Sequence, residues 1–443
     1  MRRPRLAPPA VLVALLSLGA GLAPSPAPED TGGRPEGYPT VEEVEQALTR
    51  IAALAPERAH LRDLTAELDL DPTWEGRHLW AVEIGAGAGR PRQVVVAGQH
   101  PREVVPPLAA LALAERLAVA AVDDPAALAV VEGFDTLILP LANPDGWAFV
   151  LEEDAMWRKN RRVFDDSVGV DLNRNFPFGW DADCAGSTDP QDRKYKGPQA
   201  ASEAETRTLM AALLALHPAR LLDLHAWGAA VKVGYACHEH PLAGWLRARA
   251  GLLAADLGDG VEVVPPSAEG ELAGWALHDL GTLAMVVEMG EEFQPPIEEA
   301  QALAAQVAED LLPELARAPP LSGQVVDAVT GAPLAADLRV VELAFSGGER
   351  PAGAADDGRF DLWLPPGAWN LHIAAPGYAA TRVEVLVADV AAMERRIALE
   401  PLARRGEAGC ASSGARAGLL VGGLALLAAL ARRRQGSETG IAR

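Results

Sequence analysis

Positive charge is scarce in this chain. Its 443 residues carry 39 lysines and arginines against 61 aspartates and glutamates, a formal net charge of −22 with a pI near 4.8. Such a field repels phosphate backbones and anionic headgroups, so nucleic acid is not an expected partner. Cysteine is scarcer still, with only Cys184, Cys237 and Cys410. If Cys410 belongs to a terminal tail, the remaining two can form one disulfide in an oxidising compartment or stay as two buried thiols. Repetitive blocks are missing apart from a general richness in alanine, and 49% hydrophobic with 23% charged residues is globular usage rather than disordered. The length allows two domains, each with its own core.

Apolar runs stand near both ends. Met1, Arg2, Arg3 and Arg5 precede an apolar run over 10–22 and then small residues and prolines, which reads as a signal peptide over 1–27 and a linker over 28–37. Near the other end a linker over 402–416 contains Gly409 and Cys410. It leads to an apolar helix and Arg432, Arg433 and Arg434, together a hydrophobic anchor or sorting segment over 417–434. The apolar part is shorter than the ~20 residues that span a bilayer core. The arginines mark the cytoplasmic side, which leaves everything upstream outside. This tail resembles the C-terminal sorting signals of myxobacterial surface proteins, which implies processing near Cys410. The expectation is an exported protein at the cell surface or envelope, touching the membrane through its tail.

Between the ends, helical spacing over 41–54 follows Thr40, a capping residue for a surface helix. Short apolar runs at 79–84, 93–97, 136–141, 221–224 and 283–288 read as buried strands, with helical patterns at 107–122, 202–215 and 242–257 between them. The alternation predicts an α/β domain over 38–318, a mixed sheet flanked by helices. After Pro319 and Pro320 the texture changes to short strands and turns, among them a strand at 339–343, which predicts a small all-β sandwich over 321–401. There "GQVVDAVTGAPL" and "DGRFDLWLPPGAWNLHIAAPGY" resemble the transthyretin-like, or carboxypeptidase regulatory-like, domain.

Zinc hydrolases commonly use three His, Glu or Asp ligands and keep a fourth position for water. His100 and Glu103 follow a buried strand on a loop entering a helix, three residues apart, so both side chains point one way. Of the nine histidines, His225 stands where an apolar strand meets its loop, the kind of carboxyl end at which ligands collect. His238 and His240, just before Pro241, read as surface. Glu288 ends an otherwise apolar strand, where a carboxylate is costly to bury unless it is paired.

The order "GQHPRE", "NPDGW", "MWRKNRR", "GVDLNRNFP", "DLHAWG" and "VVEMG" resembles the zinc carboxypeptidases of the carboxypeptidase A and B type, across nearly all of 38–292. The resemblance implies one zinc per chain held by His100, Glu103 and His225, Glu288 as general base, and Arg158 as the transition-state arginine. It also implies Asn173 and Arg174 as the clamp for the substrate's terminal carboxylate, and Asp171 as the aspartate that orients a ligand histidine. The expected partner is then a peptide or protein C-terminus, and the expected state a monomer.

The family's mobile tyrosine is missing. An ungapped match puts Pro266 in its place, no tyrosine lies between Tyr235 and Tyr378, and His278 is the nearest substitute. The position that carries an acid in basic-residue enzymes falls near Ala273, with Glu239, Glu269 and Glu271 close in sequence. No inhibitory pro-segment fits between the linker and the first helix. The competing readings are a zinc amidase acting on cell-wall peptides and a catalytically impaired surface peptide-binding protein.

Overall fold

The computed structural model describes residues 35–402, apart from 86, 88, 121–123, 344–351, 356 and 389–391. The expected signal peptide, Cys410 and the apolar tail lie outside the described residues. Among the described residues no helix is long and apolar enough to cross a membrane.

Helix α1 (Val41–Leu54) begins where the sequence supplies both halves of a capping box. The Glu43 amide donates to Thr40 Oγ1 at 3.2 Å, and the Thr40 amide donates to the Glu43 carboxylate at 2.8 Å. The helix buries Val41, Val44, Leu48 and Ile51 on one face, each contributing roughly 1.5–3 kcal/mol of apolar burial. The remaining helices are α2 (Leu64–Glu67), α3 (Val105–Ala118), α4 (Pro125–Gly133), α5 (Pro144–Glu152) and α6 (Ala204–Leu216). Then follow α7 (Ala243–Leu257), α8 (Leu272–Leu280), α9 (Ile297–Asp310) and α10 (Leu312–Ala316).

Eight strands make one mixed sheet: β1 (Ala59–Asp63), β2 (Trp80–Ile84), β3 (Arg92–Ala97), β4 (Asp135–Leu139), β5 (Arg220–His225), β6 (Ala230–Val233), β7 (Glu262–Val264) and β8 (Leu283–Glu288). Their order is β1-β2-β4-β3-β5-β8-β6-β7, and β4, β3, β5 and β8 run parallel at the centre. Burial on both faces explains the near-continuous apolar sequences of these four strands. The chain leaves β3 toward β4 on one side, and leaves β5 toward β8 on the other. Neighbouring strands whose connections part in this way open a crevice at their carboxyl ends. His225 and Glu288 lie there in direct register. Gly98, just past β3, has φ +71°, and a Cβ on it would stand 2.8 Å from the Pro140 carbonyl oxygen. Only glycine takes the chain through that exit without strain.

The strands after Pro320 form two further sheets. One orders β11 (Ala352–Ala354), β10 (Ala336–Val340), β13 (Gly367–Ala374) and β14 (Thr381–Val387); the other orders β12 (Arg359–Leu362), β9 (Leu321–Asp327) and β15 (Met393–Leu399). Leu321, Val325, Leu338, Phe360, Leu371, Ile373, Val385 and Ile397 share one apolar cluster between them. Strand β10 lies three residues earlier than the run 339–343 implied, because its pairing with β13 sets Leu338 opposite Ile373 and turns Ala336, Leu338 and Val340 inward. Trp363 leaves these sheets and joins the main core, where its indole donates to the Ala219 carbonyl at 2.7 Å.

Candidate active site

Three loops meet at the crevice. The first leaves β3 and carries His100 and Glu103 on a tight turn, closed by the Glu103 amide donating to the His100 carbonyl at 3.0 Å. Val105, Pro106 and Pro107 then start α3, where proline is tolerated because the first helical N–H groups have no internal partner. The second site element, the end of β5, presents His225, and the third, the end of β8, presents Glu288.

The Nδ1 atoms of His100 and His225 stand 3.1 Å apart, and Glu103 places one carboxylate oxygen 2.9 Å from the first and the other 3.0 Å from the second. Both opposite ring nitrogens face carboxylates: His100 Nε2 is 3.0 Å from Asp171, and His225 Nε2 is 3.1 Å from Asp223. In the tautomer in which each aspartate accepts the Nε2 proton, an Nδ1 lone pair is directed at the shared point. Lone pairs at such separations repel unless a proton or a cation lies among them, and two imidazoles with one carboxylate are a donor set suited to zinc. Burial opposes ionisation of Glu103, yet His100 and His225 beside it hold its carboxyl well below the usual range. For His225, burial is outweighed by Asp223 and Glu103, which raise it well above an ordinary imidazole.

Asp223 escaped the sequence reading, although an acid inside the apolar run of β5 is a visible signal. It is fully buried and is held by the Gln99 amide, 2.8 Å from each of its oxygens. Asp223→Asn is expected to weaken metal affinity by about 10- to 100-fold, measured by competition against a metal buffer. An unchanged affinity would show that Asp223 does not orient His225.

Asp171, also fully buried, takes Arg158 Nε and Nη2 at 2.9 Å each. Burial disfavours its charge, but Arg158 and His100 hold it well below the carboxylate range. Arg158 Nη1 remains toward the donor set, 3.4 Å from His100 Nδ1. The segment bearing Arg158 is pinned by Asn160, whose amide donates to Glu203 at 2.9 Å and reaches Glu205 at 3.3 Å. Burial, with Glu203 nearby, pushes Glu205 up to about 8. Its folded value lies above its unfolded value, so its contribution to stability is complete below about pH 4 and is lost as pH rises toward 8. Glu205→Gln should therefore melt close to wild type at pH 5 and several degrees higher at pH 9. Equal offsets at both pH values would rule out a buried neutral carboxyl.

Arg174 is paired within the chain. Its guanidinium already holds a carboxylate of the chain: Nη1 is 3.1 Å from Glu271 Oε1, Nη2 donates to Ser267 Oγ at 3.2 Å, and Ser267 donates to Glu271 at 3.1 Å. The cause is Gly270, at φ +83°, where a Cβ would lie 2.7 Å from the Arg174 carbonyl oxygen. Its absence lets the loop close onto the arginine. Asn173 is likewise engaged within the chain, accepting from the Leu272 amide at 2.8 Å and setting its own amide nitrogen 3.1 Å from His225 Nε2. Glu288, only partly buried, pairs with Lys232, whose Nζ donates to it at 2.6 Å. A single cavity of about 200 Å³ is lined by His100, Glu103, His225, Arg158, Asn173, Arg174 and Glu288, together with Lys232 and Glu271.

His240 is buried rather than on the surface, edge-on to Tyr235 and accepting from the Leu242 amide at 3.0 Å; His238 is more than half exposed. His278 stacks on Phe178 at 4.2 Å and is not among the residues lining the cavity. Pro266 precedes Ser267 on the loop that closes over Arg174. Cys184 and Cys237 form a disulfide with their Cα atoms 6.2 Å apart.

The sequence profile of zinc carboxypeptidases matches residues 44–307. Carboxypeptidase A2 of Rattus norvegicus is 33% identical over 180 residues, 40% of this chain and 41% of the relative. Zinc carboxypeptidase A 1 of Anopheles gambiae is 33% identical over 175 residues, 39% of this chain and 38% of the relative. The chain thus spans about two fifths of the length of these curated relatives. Among solved structures, carboxypeptidase A from Helicoverpa armigera superposes with a TM-score of 0.55 at 22% identity, over 63% of this chain and 73% of that one. Thrombin activatable fibrinolysis inhibitor superposes with a TM-score of 0.56 at 17% identity, over the same two shares. At those identities the likeness is one of fold.

Proposed function

We propose that this chain, which belongs to the zinc carboxypeptidase family, removes the C-terminal residue of peptides or proteins by hydrolysis. The observation that carries the reading is the gathering of a two-histidine, one-glutamate donor set, a charged arginine, a carboxylate and a second arginine around one cavity. One zinc ion held by His100, Glu103 and His225 would polarise the scissile carbonyl and lower the pKa of water toward about 7. Glu288 is placed to accept the proton of the attacking water and return it to the leaving amine. Lys232 holds that carboxylate in the cavity by a charge-assisted bond. Arg158, immobilised by Asp171, turns Nη1 toward the donor set, where it would serve the oxygen that becomes negative as the carbonyl is attacked. Arg174 and Asn173 flank the place of the terminal carboxylate, with Asp171 and Asp223 orienting the ligand histidines.

The test uses zinc-loaded protein, an N-blocked peptide with a free C-terminus and its C-terminal amide, analysed by mass. The expected result is stepwise loss of single C-terminal residues, abolished by a chelator and restored by zinc, with the amide cleaved far more slowly. Internal fragments, or equal rates on acid and amide, would refute exopeptidase action; cleavage of muropeptides alone would make the enzyme a cell-wall amidase.

The apolar ends support an exported protein held at the cell surface by its tail. Fractionation of cells expressing the chain with and without residues from Gly409 onward tests this, since release by truncation is the expected outcome. The motifs and two sheets after Pro320 support an accessory transthyretin-like domain, and its strands add no residue to the cavity lining.

A further inference from the structure

We propose that Lys194 supplies the charge that receives the substrate's terminal carboxylate; this deepens the carboxypeptidase reading above and rests on it. The two residues expected in that role are already engaged within the chain. Arg174 holds Glu271 at 3.1 Å and Ser267 at 3.2 Å, and the paired side chains are only 6% and 5% exposed. Asn173 accepts from the Leu272 amide and sets its nitrogen beside His225. No tyrosine lies between Tyr235 and Tyr378 to add a phenol. A carboxylate arriving at Arg174 would displace Glu271 or share the guanidinium with it, and either way a buried anion loses pairing.

Lys194 is held next to Arg174 by its backbone. Its carbonyl accepts the Ser187 amide at 2.9 Å, and the neighbouring Tyr195 carbonyl accepts the Asp171 amide at 2.8 Å, which ties this loop to the segment bearing Asn173 and Arg174. A Cβ on Gly186 would stand 2.7 Å from the Lys194 carbonyl oxygen and 2.9 Å from Arg174 Cβ, so a glycine lets the two residues approach. Both line the cavity of the donor set. Lys194 is exposed as a whole, yet partial burial, and then Arg174, Arg158 and Arg193 around it, push its ammonium below an ordinary lysine. Among the described residues that ammonium has no hydrogen bond or ion pair. An arriving carboxylate relieves the repulsion and gains a charge-assisted bond without breaking an existing pair. The other cations of the cavity are differently placed. Lys232 is committed to Glu288 and Arg158 to Asp171. Arg102 stacks on Phe293 at 4.2 Å and also lines a second cavity of about 830 Å³, with Trp157 and Trp227, that neither Arg174 nor Lys194 lines.

The experiment measures kcat and KM of the zinc-loaded full chain on an N-blocked peptide with a free C-terminus and on its C-terminal amide, in wild type, Lys194→Met, Lys194→Arg and Arg102→Gln. Lys194→Met keeps most of the side chain and removes the charge. It should lower the acid-to-amide ratio of kcat/KM by about 10- to 100-fold, the worth of one hydrogen bond between charged groups, and the loss should lie in KM. Lys194→Arg, which keeps the charge, should restore most of the ratio. An undiminished ratio in a Lys194→Met that folds and holds zinc overturns the proposal. So does an equal loss in Lys194→Arg, a loss carried by kcat alone, or a loss found only in Arg102→Gln. Those results leave carboxypeptidase action standing, whereas equal wild-type rates on acid and amide remove both readings together.

Discussion

Glu288→Gln is expected to retain its zinc and to lose about 100- to 10,000-fold in kcat, the range that a positioned proton-transfer group supplies. The substitution preserves volume and leaves a carbonyl oxygen for Lys232 to donate to, so the end of β8 and its register with His225 should be undisturbed. What disappears is basicity. An amide cannot take the proton of water or hand it to the leaving amine, while the donor set, Arg158 and Arg174 remain as they were. The effect should appear in kcat with little change in KM, because in the proposed role Glu288 would act on the reacting water rather than on bound substrate. Metal analysis beside steady-state kinetics separates this from loss of the site. Unchanged kinetics in a zinc-replete variant would reassign the base.

The second large effect is at the donor set. His225→Ala and Glu103→Ala should each lower zinc from about one per chain toward none and abolish turnover, since three protein ligands are the minimum that hold a catalytic zinc. The two variants are not equivalent structurally. Glu103 also accepts the Ala226 amide at 3.0 Å and touches both histidines, so its loss leaves a buried N–H without a partner and two imidazoles facing one another. His225→Ala instead frees Asp223, a buried carboxylate still held by Gln99. Both should be less stable than wild type, and added zinc should raise the thermal midpoint of wild type but of neither variant, because an ion that binds only the folded state stabilises it by mass action. Full zinc occupancy in both variants would place the metal elsewhere.

Much of this was legible in the sequence where the signal is local. Thr40 and Glu43 sit at capping-box spacing, and α1 runs over 41–54 as the apolar period predicts. The four central parallel strands are apolar almost throughout because both faces are covered, and each was expected within a few residues of its place. The outer strands β1, β6 and β7 gave no comparable signal. "AHLRD", "AVKV" and "EVV" are short and partly polar, and they are strands because a neighbour pairs with them.

The sequence by itself pointed to the donor set, through His100 and Glu103 three residues apart and His225 at a strand end, which the structure brings together, and its ordered motifs, by resemblance, pointed to Arg158, Asp171 and Glu288. Those are properties of residue type and near spacing. Only the tertiary structure decided which charges meet: Asp223 with His225, Lys232 with Glu288 and Glu271 with Arg174. Ion pairing between remote segments depends on where backbones approach. At Gly270 the approach is set by a positive φ and a missing Cβ, neither of which shows in charge pattern or hydrophobic period.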